Sequence, residues 1–261
     1  MRVDRTILVW DVESTGLDPT VDRVVEVAAV PVRLAEGKWT VGRGFSLLVD
    51  PDRDVPPEAS AVHHITADML EDQPLLADAA AACRQGTFEG WPGPDVSTEP
   101  PPPGWPDFGA AHNAEFDAGF LSELRARPLI CTWRCALHLY PDAPGHSNQV
   151  LRYWLGLKPS HHLGEDATYY PRAASPHSAV YDAYVTAEIL RHMLQEHAVE
   201  ELVRLTTAPV VLTKIRFGKH SGQAWSELPY DYLKWMERQV DWDADTAHTL
   251  KVELVKRRAR A

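Results

Sequence analysis

Residues 6–10, Thr-Ile-Leu-Val-Trp, form an unbroken apolar run that ends in acids, Asp11-Val12-Glu13. A run without polar alternation suits a strand buried on both faces in the middle of a sheet. Such a strand obliges the rest of the chain to supply neighbours on either side and helices above and below. Two β-rich stretches follow at roughly 23–34 and 39–49, with Glu36-Gly37-Lys38 as the turn between them, so the first three strands predict a meander. Helical patterns begin near Pro57 and recur over 74–84, 114–125, 147–156 and 177–196, while short apolar stretches at 107–111 and 128–132 suit further strands. The expected class is α/β with a mixed sheet flanked by helices.

Two stretches interrupt this plan. Residues 86–106 contain seven prolines and can form neither a helix nor a central strand, which leaves a surface loop of polyproline character. It is either a solvated insertion or a partner-docking segment. Residues 158–176 form a second long loop, of the kind that often serves as a lid.

The formal charge of −11 argues against coating nucleic acid by bulk electrostatics. The charge is unevenly placed: residues 212–261 hold ten Lys+Arg against seven Asp+Glu, so they carry +3 and residues 1–211 carry −14. An acidic body can still act on a polyanion if divalent cations neutralise its site. No apolar run near the N-terminus is long enough for a signal peptide or a membrane span. A cytoplasmic protein with no membrane partner is the expectation. Cys83, Cys131 and Cys135 lack the second ligand pair of a structural zinc site and read as reduced thiols.

The acids at the end of the first strand lie two apart, so Asp11 and Glu13 share a face. Asp-x-Glu alone is weak evidence. Asp117 is sharper: if Asn113 caps the helix that follows it, Asp117 falls on the apolar stripe with Phe120, Leu121 and Leu124. Asp182 is likewise in line with Ala179, Val185, Thr186, Ile189 and Met193, and neither stripe contains a lysine or arginine. A buried carboxylate is protonated, paired or bound to metal, because an isolated buried charge costs several kcal/mol. Convergence of Asp11, Glu13, Asp117 and Asp182 would give a charge matched by two divalent cations. Hard oxygens suit Mg²⁺ or Mn²⁺, and two such ions are the apparatus for in-line displacement at phosphorus. Phosphodiester hydrolysis is the implied reaction.

Such a reaction needs a base. His177 and Asp182 would stand about 140° apart on a continuous helix, so both cannot face one metal pair if His177 is helical. With Ser178 as N-cap, His177 belongs to the preceding loop and is free to lean over the site. Its imidazole suits a general base.

Taken in order, DVESTG (11–16), HNAEFD (112–117) and HSAVYD (177–182) resemble the three motifs of the DEDDh 3′–5′ exonucleases. The sister DEDDy group has a tyrosine where this chain has Ser178, and His177 selects the histidine branch. The resemblance implies an RNase H-like fold with a five-stranded mixed sheet. It also implies Asp11, Glu13, Asp117 and Asp182 as ligands or organisers of two Mg²⁺ ions, with Asp11 bridging and His177 as base. By the same resemblance Ser14 and Thr15 lie near the 3′-terminal nucleotide, and Val62, His63 and Ile65 line its base. Asn113 either contacts substrate or only caps its helix.

The segments PPEASAVHHIT, ICTW and RFGKHSGQAWSELPYDYLKWM are similar to the exodeoxyribonuclease X family, whose members carry a short C-terminal module. The expected division is an exonuclease domain over 1–198 and a small α+β module over 212–261. The module's aromatics, among them Phe217, Trp225, Tyr232 and Trp235, either stack bases or fill a small core. The function expected is release of nucleoside 5′-monophosphates from single-stranded or duplex DNA 3′ ends, in repair or recombination. The alternatives are RNA 3′-end trimming and a proofreading subunit docked to a polymerase; a polymerase or repair protein is the partner these readings allow.

Overall fold

The computed structural model describes residues 5–78, 107–121, 127–158 and 175–259. The Pro-rich loop at 86–106, Cys83 and most of the second loop lie outside the described residues. Strands β1 (Arg5–Ser14), β2 (Val24–Ala35), β3 (Lys38–Val41), β4 (Phe45–Leu48), β5 (Phe108–Ala111) and β6 (Leu129–Cys131) form one mixed sheet. Its order is β3-β2-β1-β5-β6, with β4 also on β2. β1 is antiparallel to β2 and parallel to β5, and β5 is parallel to β6. The central position expected for residues 6–10 is the one β1 occupies.

The hairpin between β2 and β3 turns on Glu36 and Gly37, with φ of 52° and 81°. Two consecutive positive φ values give a turn whose twist matches that of its strands. The stretch expected as one strand over 39–49 is two. β3 pairs with Val32–Ala35 and β4 with Glu26–Ala29, so six strands fill five positions across the sheet. Gly44 makes the break: its N–H donates to the Tyr184 hydroxyl at 2.7 Å. A Cβ there would meet Val30 Cγ2 at 2.6 Å and the Ala29 carbonyl oxygen at 2.8 Å.

The described helices include α1 (Pro57–His63), α2 (Ala67–Leu70), α3 (Ala114–Phe120), α4 (Thr132–Leu139), α5 (Asn148–Trp154), α6 (Ala179–Met193), α7 (Val199–Thr207), α8 (Tyr230–Met236) and α9 (Ala244–Arg258). α3 ends at Phe120 rather than 125, where the Leu121 N–H closes on the Asp117 carbonyl. α4 begins at Thr132, in the stretch expected to finish a strand, and the Cys131 thiol accepts the Arg134 N–H there.

β1 is apolar from Ile7 to Trp10 because its two faces serve different cores. Ile7 and Val9 pack with Ala28, Val30, Val32 and the α6 residues Tyr184, Ile189 and Leu190. Leu8, Trp10 and Val12 pack on the other side with Val27, Phe45, Ala118 and Leu121. Each fully buried aliphatic contributes about 1.5–3 kcal/mol. Asp11 and Glu13 continue the alternation of Ile7 and Val9, so the strand's end presents them on the α6 side. A separate cluster of Ile215, Trp225, Leu228, Leu233, Met236, Leu250 and Leu254 lies in the C-terminal segment. That segment joins 3₁₀ turns, α8 and α9 to a β-bridge between Lys214 and Ala224.

Candidate active site

Three elements deliver the acids. β1 ends with Asp11 and Glu13, α3 carries Asp117, and α6 carries Asp182 in its first turn. Asp117 is buried at 3% exposure, while Asp11, Glu13 and Asp182 are half-buried at the rim. Ligand atoms of Glu13, His177 and Asp182 all lie within 4.8 Å of one another.

Asp11 feels the charges of the other acids. Burial, then the charges of Asp117, Asp182, Glu13 and Glu26, hold the Asp11 carboxyl well above the ordinary carboxylate range. Burial pushes Asp117 up to about 7, against the pull of the backbone N–H groups of Asp117 and Val12. Asp182 is also raised by burial, opposed by the His177 backbone N–H, the His177 charge and Gln149. Acids crowded like this retain protons unless a cation replaces them. Carboxylate oxygens such as those of Glu13 and Asp182 fit a divalent ion, and the His177 ring lies within 4.8 Å of them.

His177 lies outside α6. It has a left-handed backbone, φ 64°, which costs a non-glycine residue roughly 1–2 kcal/mol. The Asp182 Oδ2 accepts the His177 N–H at 2.8 Å and holds the bend in place. One residue thus occupies the loop and the other the helix, which allows both side chains to reach Glu13.

Ser178 is at the N-cap position, but its side chain makes no capping hydrogen bond. The acceptor comes from the sheet. Glu26 Oε2 takes the Ala179 N–H at 3.2 Å, and Oε1 takes the hydroxyls of Ser46 at 2.7 Å and Ser178 at 3.5 Å. Glu26 is buried at 4% exposure and pairs in register with Glu13. Sequence reasoning missed it; the available signal was one acid inside the apolar run Val24-Val25-Glu26-Val27-Ala28. Gln149 was missed as well: its Nε2 donates to Asp182 Oδ1 at 3.3 Å. Beside it Asn148 Nδ2 donates to Thr186 Oγ1 at 3.0 Å, which fastens α5 to α6.

The other expected contact residues each make local contacts. Ser14 donates to the Gly16 carbonyl at 2.7 Å. Thr15 is buried, with its hydroxyl between Asp22 Oδ1 and the Arg23 N–H. His63 is buried and its Nδ1 accepts the Ile65 N–H at 3.0 Å, while Ile65 packs with Val25 and Leu70. Val62, by contrast, is 48% exposed. Asn113 occupies the N-cap position of α3 but adopts a left-handed conformation, φ 69°, without a side-chain cap bond, which corrects the capping expected of it. Cys131 and Cys135 are free buried thiols, and burial pushes Cys135 up to about 12.

The sequence model of the Exonuclease family, of RNase T type, matches residues 8–90. Exodeoxyribonuclease 10 of Escherichia coli K12 is 29% identical over 236 residues, which cover 88% of this chain and 90% of that protein. DNA polymerase III subunit epsilon of Treponema pallidum is 30% identical over 173 residues, 60% of this chain and 69% of that one. Among solved structures, exonuclease X in complex with 5′ overhanging duplex DNA superposes with a TM-score of 0.56 at 28% identity, over 77% of this chain and 99% of that one. By these matches, and by its mixed sheet with acids at the end of β1, the chain belongs to the exonuclease family, within the DEDDh 3′–5′ exonucleases.

Proposed function

We propose that the protein hydrolyses the terminal phosphodiester bond at DNA 3′ ends and releases nucleoside 5′-monophosphates one at a time. The observation that carries this reading is the gathering of Asp11, Glu13, Asp117, Asp182 and His177 around one strand end and one helix start. Asp11, Glu13, Asp117 and Asp182 are assigned as metal ligands or organisers. Mg²⁺ is the ion their hard oxygens suit best, with Mn²⁺ as a substitute. When bound, a pair of such ions supplies charge for the attacking and leaving oxygens of an in-line displacement. His177 takes the proton from the attacking water and is held for that task by Asp182 through its own backbone N–H.

Val62 offers surface to the terminal base, with His63 and Ile65 setting its position from the interior, and Asn113 is exposed at the start of α3. Ser14 and Thr15 shape the adjoining turn. The DNA assignment rests on the relatives' names, an exodeoxyribonuclease and a structure bound to duplex DNA with a 5′ overhang. We assign 1–198 as the exonuclease domain and 212–261 as a module, in keeping with the latter's own apolar cluster.

Digestion of matched DNA and RNA oligonucleotides, single- and double-stranded, by the purified protein tests the substrate. Faster 3′ shortening of DNA is expected. Equal or faster shortening of RNA would replace this reading with RNA trimming.

A further inference from the structure

β1, β5 and β6 are parallel, so their C-terminal ends share one edge of the sheet. β1 brings Asp11 and Glu13 to that edge, β5 leads into α3 with Asp117, and β6 leads into α4. The C-terminal segment is fastened beside the same edge. Arg134, in the first turn of α4, grips both oxygens of Asp245 at 2.5 and 2.9 Å and also the Ala208 carbonyl at 2.7 Å. Asp245 Oδ1 in turn accepts the Val210 N–H at 2.8 Å.

The surface of this segment differs from the body it is attached to. Its core is supplied by Ile215, Trp225, Leu228, Leu233 and Met236 with α9, whereas Trp235 is 48% exposed. The Trp235 indole stacks on Tyr232, with centroids 5.3 Å apart and planes at 25°. Lys219 Nζ stands 5.5 Å from the centre of the same tyrosine ring, and the His220 ring 4.5 Å from it. The loop 214–223 therefore adjoins the aromatic pair. It contains Lys214, Arg216, Lys219 and His220 and no acid, and its three cations are exposed. Its shape is set by hydrogen bonds from Ile215 N–H to the Gln223 carbonyl at 3.0 Å and from Gly222 N–H to the Ile215 carbonyl at 2.8 Å. Gly218 and Gly222 take φ of 66° and 88° to close it.

Residues 1–211 carry −14, unfavourable on balance for a polyanion away from bound cations, and 212–261 carries the opposite sign. Exposed cations beside one open indole face suit a single strand, whose phosphates pair with the cations while a base stacks on the ring. A duplex presents no free base face along its length. Building on the exonuclease reading, we propose that Trp235 and the loop 214–223 form a binding surface for single-stranded DNA, holding the stretch just 5′ of the nucleotide being removed.

The test measures anisotropy of a labelled oligo(dT) with the full chain in EDTA, beside turnover of thymidine 5′-monophosphate p-nitrophenyl ester with Mg²⁺. Trp235→Ala should weaken oligonucleotide binding between about five- and a hundredfold, the range expected for loss of one stacked base. Trp235→Phe should recover much of it. Arg216→Ala and Lys219→Ala, at exposed positions outside the apolar core, should each weaken binding and flatten its salt dependence by about 0.7 in slope. The small ester should turn over normally in all four variants. Unchanged oligonucleotide affinity in Trp235→Ala and Lys219→Ala would overturn the proposal, and so would an equal loss on the ester. Wild-type protein that binds the strand through these residues but cleaves neither substrate would instead refute the exonuclease reading and leave the surface in place.

Discussion

At Asp117 the cost of burying a carboxylate and the benefit of having one meet in a single side chain. It is 3% exposed, and burial pushes it up to about 7. In the unfolded chain the same group titrates near 4. Between those values the folded protein without divalent ions binds more protons than the unfolded one, so its stability falls as pH rises from about 4 to about 7. Asp11 and Asp182 are shifted in the same direction and add to the trend. Urea midpoints measured in EDTA should therefore decline from pH 5 to pH 8. Asp117→Asn should flatten that decline and gain stability at pH 8, on the order of a few kcal/mol. Mg²⁺ should stabilise the wild type more at pH 8 than at pH 5. Midpoints independent of pH in EDTA would contradict the account.

Glu26 poses a related problem with a different solution: it accepts the Ala179 N–H and two serine hydroxyls. Its place at the start of α6 is also where a helix favours a negative charge. Glu26→Ala should destabilise the fold by about 1–3 kcal/mol, because buried donors lose their acceptor. Glu26→Gln should recover part of this, since serine hydroxyls can turn to accept from the amide. Thermal denaturation of the two variants checks both, and equal midpoints for wild type and Glu26→Ala would exclude the capping role.

Among the elements, α6 has most to do with positioning. Its 15 residues pack against β1 and β2, its start is capped from β2, and its Tyr184 hydroxyl receives the Gly44 N–H that separates β3 from β4. The break in the third strand is thus a contact with the helix that carries Asp182. Gly44→Ala would drive a Cβ to 2.8 Å from the Ala29 carbonyl oxygen, which belongs to a paired strand and has little room to give. The expected cost is roughly 1–3 kcal/mol in folding stability. A variant as stable as wild type would mean that β4 can shift without disturbing β2.

In the molecule as a whole, the site was more legible in the sequence than its supports. Asp117 and Asp182 were visible because an acid on an apolar helix stripe contradicts its own position, and Asp11 because the residues before it form an obvious central strand. Glu26 breaks an apolar run in the same way, but its partners are Ser46 and the start of a helix some 150 residues later, and no local pattern links them. Ser178 and Asn113 occupy their expected cap positions, yet neither side chain caps, because a cap bond depends on backbone angles that residue type does not fix. The split at 42–44 depends on Tyr184, and the start of α4 on a thiol acceptor after a strand, both outside what periodicity registers.

All these features bear on one claim, that β1, α3 and α6 together hold divalent cations against a DNA 3′ end with His177 beside them. The direct measurement is release of nucleoside 5′-monophosphate from a 3′-labelled DNA strand, with and without Mg²⁺, by wild type, Asp182→Ala and His177→Ala. The account predicts Mg²⁺-dependent release by wild type and none by Asp182→Ala. His177→Ala should be slowed by about a hundredfold or more while still binding metal. Release that persists in EDTA, or near-wild-type rates in either variant, would contradict it.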